Sequence, residues 1–326
     1  MTDRRSFLRF AVAGGVAATL AGPARAQSFP GKPVKIILGL APGASTDIGT
    51  RMLAQGLTEV TGQPFIVENR PGAGSTLAAA AVAGAPADVY TLFMGTGSYA
   101  TSAALYHNLR FDPEKSFRPV TQLNRFPSAI AVEAKSDIRS LQHLIELAKA
   151  KPGEMPYAST GYGGQTHFAG ELFQMLTGTK LLHIPYKGGG PALQDVMAGR
   201  VPVIFVDLFT LMPHVKTGSL RVLAVTGANR AAIAPSVPTA IEQGVAGFEV
   251  TAWLGLFAPA GTPEAVVDAL HRSVAAVGRR DDFVRRMADS GAEVVVSPPS
   301  QFADFFHREV ALYKRVAEAS NIKLES

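Results

Sequence analysis

An α/β protein of two lobes, each a mostly parallel sheet flanked by helices, is the fold this sequence predicts. Three observations carry the prediction. From Val34 onward, short β-rich runs alternate with helical patterns, which is how parallel sheets covered by helices read. The last third turns helix-rich around one short strand, as a tail does when it packs on a sheet already begun. A chain of 326 residues, 47% hydrophobic and 17% charged, has enough apolar material for two packed domains, which excludes intrinsic disorder.

The first 26 residues read as an export signal rather than as part of the fold. Arg4, Arg5 and Arg9 make a basic start, an uncharged stretch runs over 10–24, and Ala24-Arg25-Ala26 supplies a small-x-small cleavage site before Gln27. The stretch is shorter than the roughly 20 residues of a membrane span, and it lacks the polar face of an amphipathic helix. Arg4-Arg5-Ser6-Phe7-Leu8 resembles the twin-arginine motif, which implies export after folding. No other uncharged run nears membrane length, so the mature protein is expected free in a bacterial periplasm, without a membrane anchor.

Setting this segment aside also changes the charge. The 31 basic and 26 acidic residues become 27 and 25, and a formal +5 falls to +2. So neutral a surface gives no reason to expect a nucleic-acid partner. The zero cysteine count excludes disulfides, thiolate zinc sites, iron–sulfur clusters and cysteine nucleophiles, and 7 histidines supply metal chemistry only thinly. No cofactor is expected.

In the mature chain, strands are expected over 34–40, 65–68, 90–94, 129–133, 156–159, 181–186, 201–206, 220–226 and 253–258. Helical patterns fall between them over 46–60, 76–83, 141–151, 166–176 and 191–198. The tail adds helices over 263–277, 281–290 and 300–319 around a strand at 293–296. If that tail returns to the N-terminal sheet, one lobe comprises 27–124 and 247–326 and the other 125–246. The crossings then lie near 118–124 and 247–251. Ligands in open α/β sheets bind beyond the carboxyl ends of strands, so a cleft between the lobes is the expected site. The molecule is expected to act as a monomer.

Four times an expected strand runs into a glycine-rich turn followed by a helix: Pro42-Gly43-Ala44-Ser45-Thr46-Asp47, Pro71-Gly72-Ala73-Gly74-Ser75-Thr76, the run from Ser159 through Thr160, Gly161, Gly164 and Gln165 to Thr166, and Lys187-Gly188-Gly189-Gly190-Pro191. Glycine lets the main chain approach a ligand, the orphan N–H groups of a helix start carry partial positive charge, and Ser or Thr adds a hydroxyl. Together these make an anion seat. Taken singly, each loop is better accounted for by ordinary capping. Two such loops facing each other, one per lobe, would favour the anion seat. A hydrogen bond to a charged group contributes about 1.5–3 kcal/mol and a helix terminus about 0.3–1, so four donors and two helix starts approach the roughly 8 kcal/mol of a micromolar complex. No arginine clamp is required.

Enzymatic readings find less support. The chain has no Gly-x-Ser-x-Gly elbow and no P-loop. Gly95-Thr96-Gly97-Ser98-Tyr99-Ala100 fits a dinucleotide fingerprint but follows the third strand, with no acid about 20 residues on to hold a ribose. His167 and Glu171 lie one helical turn apart, yet two ligands do not make a metal site. The lone Trp253 reads as core or hinge packing.

Taken in order, Pro33-Val34-Lys35-Ile36-Ile37, Ala41-Pro42-Gly43-Ala44-Ser45-Thr46-Asp47, Val67-Glu68-Asn69-Arg70-Pro71-Gly72-Ala73-Gly74, His167-Phe168-Ala169-Gly170-Glu171-Leu172-Phe173, Pro185-Tyr186-Lys187-Gly188-Gly189 and Phe257-Ala258-Pro259-Ala260-Gly261-Thr262-Pro263 resemble Bug-type receptors over nearly the whole mature chain. These are the periplasmic substrate-binding proteins of tripartite tricarboxylate transporters. The resemblance implies a type II periplasmic binding protein, a Venus flytrap that closes on a small organic carboxylate and delivers it to membrane transporter subunits. It implies that the carboxylate is pinched between Gly43, Ala44, Ser45, Thr46 and Asp47 on one side and Ser159, Thr160, Gly161, Gly164, Gln165 and His167, with Thr166 among them, on the other. Thr96, Gly97, Ser98 and Asp207 would face the rest of the ligand. Asp47 reads chiefly as an organiser of the helix start, since its charge would repel an anion.

The chain departs from the family pattern at Ala44, where glycine is common, at Ala87-Asp88-Val89-Tyr90, which lacks a usual glycine, and at Phe205-Val206-Asp207-Leu208-Phe209, where many relatives read Phe-Asp-Asn-Leu-Pro. Val206 in place of a polar residue tilts the expectation toward an apolar or aromatic carboxylate. Three alternatives compete: an exported hydrolase or isomerase using Ser45, Ser98 or His167, a ligand sensor for a signalling partner, and a transcriptional effector domain. The last is disfavoured by an export signal standing where a DNA-binding helix-turn-helix belongs.

Overall fold

The computed structural model describes residues 29–43, 45–106 and 108–322; the expected export signal and Ala44 lie outside them. The chain begins with β1 (Val34–Leu38), α1 (Ser45–Thr61), β2 (Phe65–Asn69), α2 (Thr76–Ala83), β3 (Thr91–Thr96) and α3 (Gly97–Leu105). A long strand β4 (Phe117–Glu133) leads into α4 (Leu141–Ala150), β5 (Pro156–Ser159), α5 (Gln165–Thr177), β6 (Leu182–Pro185), α6 (Gly189–Met197), β7 (Val203–Asp207), α7 (Leu208–Lys216) and β8 (Leu220–Val225). The return is made by β9 (Thr251–Pro259), followed by α8 (Glu264–Gly278), α9 (Asp281–Asp289), β10 (Glu293–Val294) and α10 (Pro299–Ala319).

The α/β class holds, and the sheets are mixed rather than mostly parallel. In one lobe β1 pairs in parallel with β2 and β3, but β9 is antiparallel to both β3 and β4, and β10 is antiparallel to β4. In the other, β5 is parallel to β6 and β7, while β4 runs antiparallel to β7 and β8. The antiparallel pairs all involve the two strands that carry the chain between lobes. Residues 117–127 of β4 pair with β9; from Ser128 onward β4 pairs with β7 and β8. Thr226 N–H donates to Ser128 O at 2.9 Å and Val250 N–H to Thr226 O at 3.0 Å, which ties the outgoing and returning segments together.

Two elements were not expected from the sequence. The helix α3 is buried on every side, so it shows no amphipathic period, and α7 carries Pro213 inside its last turns. The first half of β4 also escaped, because its alternation is interrupted by Pro119 and by Thr121, Gln122 and Asn124, which are polar yet buried.

On one face of the end-to-end lobe, α1, α8 and α9 cover Val34, Ile36, Leu38, Leu92 and Met94. On the other, α2, α3 and α10 cover Ile37 and Phe93, and that core runs on into the middle lobe through Phe168, Phe173 and Phe205. Burying each such ring contributes about 1.5–3 kcal/mol. The approach of α10 depends on Gly255, where a Cβ would stand 2.0 Å from the ring of Phe302. Trp253 is fully buried among Phe302, Phe305 and Phe306, and Phe168 of α5 meets Tyr313 of α10 edge-on at 5.0 Å.

Candidate functional site

Three helices, α1, α3 and α5, start where a strand of one or the other lobe ends, and their first residues line one cavity of about 440 Å³. Thr46 comes from the start of α1, Thr96, Gly97 and Ser98 from the β3–α3 junction, and Thr160, Gly161, Gly164, Gln165 and Thr166 from the β5–α5 loop. Asp207, at the end of β7, is also in the lining. The first amides of each helix have no intrahelical acceptor, and each helix end adds about 0.3–1 kcal/mol for an anion placed beside it. The lining holds no Lys, Arg or His.

Unpartnered polar atoms separate this cavity from others of its size. Among the described residues six buried side-chain polar atoms lack a hydrogen bond, and three of them, Thr46 Oγ1, Thr96 Oγ1 and Gln165 Nε2, line it. Two further depressions, about 430 and 480 Å³, lie against α10 and contain none, and one of about 420 Å³ beside α8 contains a single one, His271 Nδ1. A buried group left unpaired costs about 1–3 kcal/mol. The cavity walls therefore carry a concentrated demand for a polar occupant. The two lobes also touch here: a Cβ on Gly97 would meet Gln165 Oε1 at 2.5 Å.

Four residues that the sequence assigned to the ligand are turned to other work. Asp47 is buried outside the cavity lining; Oδ2 accepts from Gly43 N–H and Arg51 Nε, both at 3.0 Å, and Oδ1 from Asn69 Nδ2 at 2.9 Å. Burial alone would raise its carboxyl, but these hydrogen bonds outweigh it and hold the group below the usual carboxylate range. Gly43 is exposed and takes the positive φ, 89°, that the turn requires. Ser45 opens α1; its side chain, like Ala44, is outside the described residues.

Ser159 and His167 are likewise beneath the loop rather than in the cavity. Gly163 N–H donates to His167 Nδ1 at 3.1 Å, so the neutral ring carries its proton on Nε2, which faces Glu171 Oε1 at 3.7 Å. His167 stacks on His183 with ring centres 3.8 Å apart, and His183 Nε2 lies 2.6 Å from Ser159 Oγ. Burial pushes both imidazoles down to about 4, so both are neutral at ordinary pH. The Ser159–His183 contact has the elements of a nucleophile and base, but Ser159 is fully buried and its hydroxyl also bonds Gly161 O. It braces a loop. Thr166 adds a second brace, its Oγ1 accepting from Thr160 N–H at 2.9 Å and pairing with Thr160 Oγ1 at 2.8 Å.

Sequence reasoning missed Leu40, Tyr162, Ala252 and Trp253, which complete the lining. Tyr162 stood within the glycine loop already singled out, whereas Ala252 and Trp253 reach the cavity only because β9 passes under it. Trp253 is held by Nε1–H donating to Glu309 Oε2 at 3.2 Å. Burial raises that carboxyl to about 7 despite hydrogen bonds from Trp253 and Tyr313. Val206, expected near the ligand, packs in the core with Leu208 and Leu211, so the apolar preference inferred from it loses its basis.

Residues 50–322 match the family described as "Tripartite tricarboxylate transporter family receptor". The chain belongs to that family. The receptor is 33% identical to Protein BugT of Bordetella pertussis over 94% of this chain and 95% of that one. It is similar to an R. palustris protein solved with adipate, at 33% identity and TM-score 0.77 over 90% of this chain and 99% of the other. MatC from Rhodopseudomonas palustris with bound malate is 31% identical, with TM-score 0.73 over 88% of this chain and 99% of that one. Among the described residues no helix of the receptor is long and apolar enough to cross a membrane, and no three His, Cys, Asp or Glu side chains cluster to hold a metal.

Proposed function

We propose that this receptor captures a small organic carboxylate in the cavity between its lobes, in the periplasm and without chemical conversion, and passes it to the membrane subunits of a tripartite tricarboxylate-type transporter. One observation carries the reading: three unpartnered polar atoms, two from the end-to-end lobe and one from the middle lobe, belong to residues that line a single cavity where three helices begin. Relatives solved with adipate and with malate support the ligand class. The carboxylate would lie against the starts of α1, α3 and α5 and accept from Thr46, Thr96 and Gln165 together with the first-turn amides. The lobes, 27–124 with 247–326 and 125–246, would close as rigid bodies about the Ser128, Thr226 and Val250 contacts.

Calorimetry of the mature protein against a panel of carboxylates tests this. Saturable binding of at least one is expected; binding of neutral sugars or cations alone overturns it. Solution scattering with the tightest ligand should show compaction of a monomer, and an unchanged radius removes the closure.

A further inference from the structure

The cavity proposed for a carboxylate contains a carboxylate of its own. Asp207 ends β7 and immediately precedes α7, the place where an aspartate usually caps its helix, yet its side chain makes no bond to the α7 amides. Its Oδ1 accepts from Ser128 Oγ at 3.2 Å, and among the described residues Oδ2 has no partner. The groups that share the cavity with it are the Gln165 amide, the Thr46, Thr96, Ser98 and Thr160 hydroxyls and the Tyr162 ring, none of them a cation. Burial raises the Asp207 carboxyl, which only the Ser128 hydrogen bond opposes.

We propose that Asp207 makes the receptor select a carboxylate whose far end is an ammonium, a zwitterionic amino acid with a short methylene spacer, over the dianion of equal length. The proposal rests on reading this cavity as a carboxylate site. The lining carries two kinds of polar group: three helix starts and their hydroxyls favour negative charge, and Asp207 favours a donor. Leu40 and Ala252 supply apolar surface in the same lining for a methylene spacer. A dianion would bring its second carboxylate against Asp207 in a space without a compensating cation, where like charges are screened least. A ligand ammonium would instead take the vacant Oδ2 in a charge-assisted hydrogen bond.

Titration calorimetry at pH 7.5 with chain-matched pairs decides the matter: 5-aminopentanoate against glutarate, and 6-aminohexanoate against adipate. Wild type should bind the amino member of the better-fitting pair at least about tenfold more tightly, the factor that one charge-assisted contact supplies. Asp207→Asn, nearly isosteric, should erase or invert that ratio while leaving the melting temperature close to wild type. A wild-type preference for the diacid, or a ratio unchanged in Asp207→Asn, overturns the proposal and leaves the carboxylate site standing. Failure of every carboxylate to bind wild type removes both. Should Asp207→Asn not fold, the wild-type ratio decides alone.

Discussion

The two walls of the cavity are built on opposite plans. In the middle lobe the β5–α5 loop is bonded to itself and to what lies under it: Thr166 to Thr160, Gly163 to His167, Ser159 to His183. In the end-to-end lobe Thr46 and Thr96 have hydroxyls that bond nothing among the described residues. The middle-lobe wall is mostly braced before a ligand arrives, with Gln165 Nε2 left unpaired, and the end-to-end wall, although Asp47 holds its first loop, keeps two hydroxyls in reserve. The contrast teaches that a hydroxyl-rich, glycine-rich loop has two distinct uses, and that residue type does not say which.

Substitutions should separate the two plans. Thr46→Val with Thr96→Val removes reserve hydroxyls, so affinity for the tightest carboxylate should fall by about 100-fold or more, each bond to a charged group contributing about 1.5–3 kcal/mol. The melting temperature should hold or rise, because two buried unpaired groups disappear. A lowered melting temperature with intact affinity would show that these hydroxyls serve the fold.

His167→Leu attacks the brace and should lose in both measurements. It leaves Gly163 N–H unpaired at a cost of about 1–3 kcal/mol, and affinity should drop about tenfold as the loop loosens. Affinity unaffected by a destabilised brace would mean that the loop's shape is set by its glycines alone.

Acid should reach the brace and spare the opposite wall. The folded-state values of His167 and His183, about 4, lie below the ordinary 6.5, so the unfolded chain takes up more protons between them. Stability from this pair is therefore lost as pH falls from about 6.5 to about 4, and a protonated Nδ1 can no longer accept from Gly163. Glu309, raised from 4.5 to about 7, acts in the opposite sense over that interval. The quantity to measure is thus the difference in melting temperature between wild type and His167→Leu. It should shrink on acidification, and a constant difference would exclude the histidines as its source.

Gly97→Ala makes the smallest change. The new methyl would press on Gln165 across the gap between lobes, and a loss of about threefold in affinity with normal stability is expected, since an amide side chain can shift. A larger loss would show that the contact is rigid in the closed state.

Much of this was legible in the sequence because strand-to-helix junctions with glycine and hydroxyl residues announce themselves locally. Thr46, Thr96, Gln165 and Asp207 all sit at such junctions. What sequence alone did not give was direction. Ser159 and His167 belong to the same motif as Thr160 and Thr166, yet they face down, and only the stacking partner His183, remote in sequence, explains why. Likewise α3 reads as featureless because a helix buried on all sides has no polar face, and buried Gln122 and Asn124 conceal a strand whose polar groups meet other protein rather than water.

The strand β9 has a consequence for how the molecule is made. It lies between β3 and β4 in the sheet, yet it is encoded after nearly all of the middle lobe. While the chain emerges from the ribosome, the edge of β3 that β9 will fill has no neighbour, and Phe93 and Met94 stay only partly covered, by α1, α2 and α3, until α8, α9 and α10 have been synthesised. Long-range closure of this kind is slow and exposes sticky edges. The nascent receptor should therefore be a client of holding chaperones, and a fragment ending before Thr251 should aggregate rather than fold as half a clamshell.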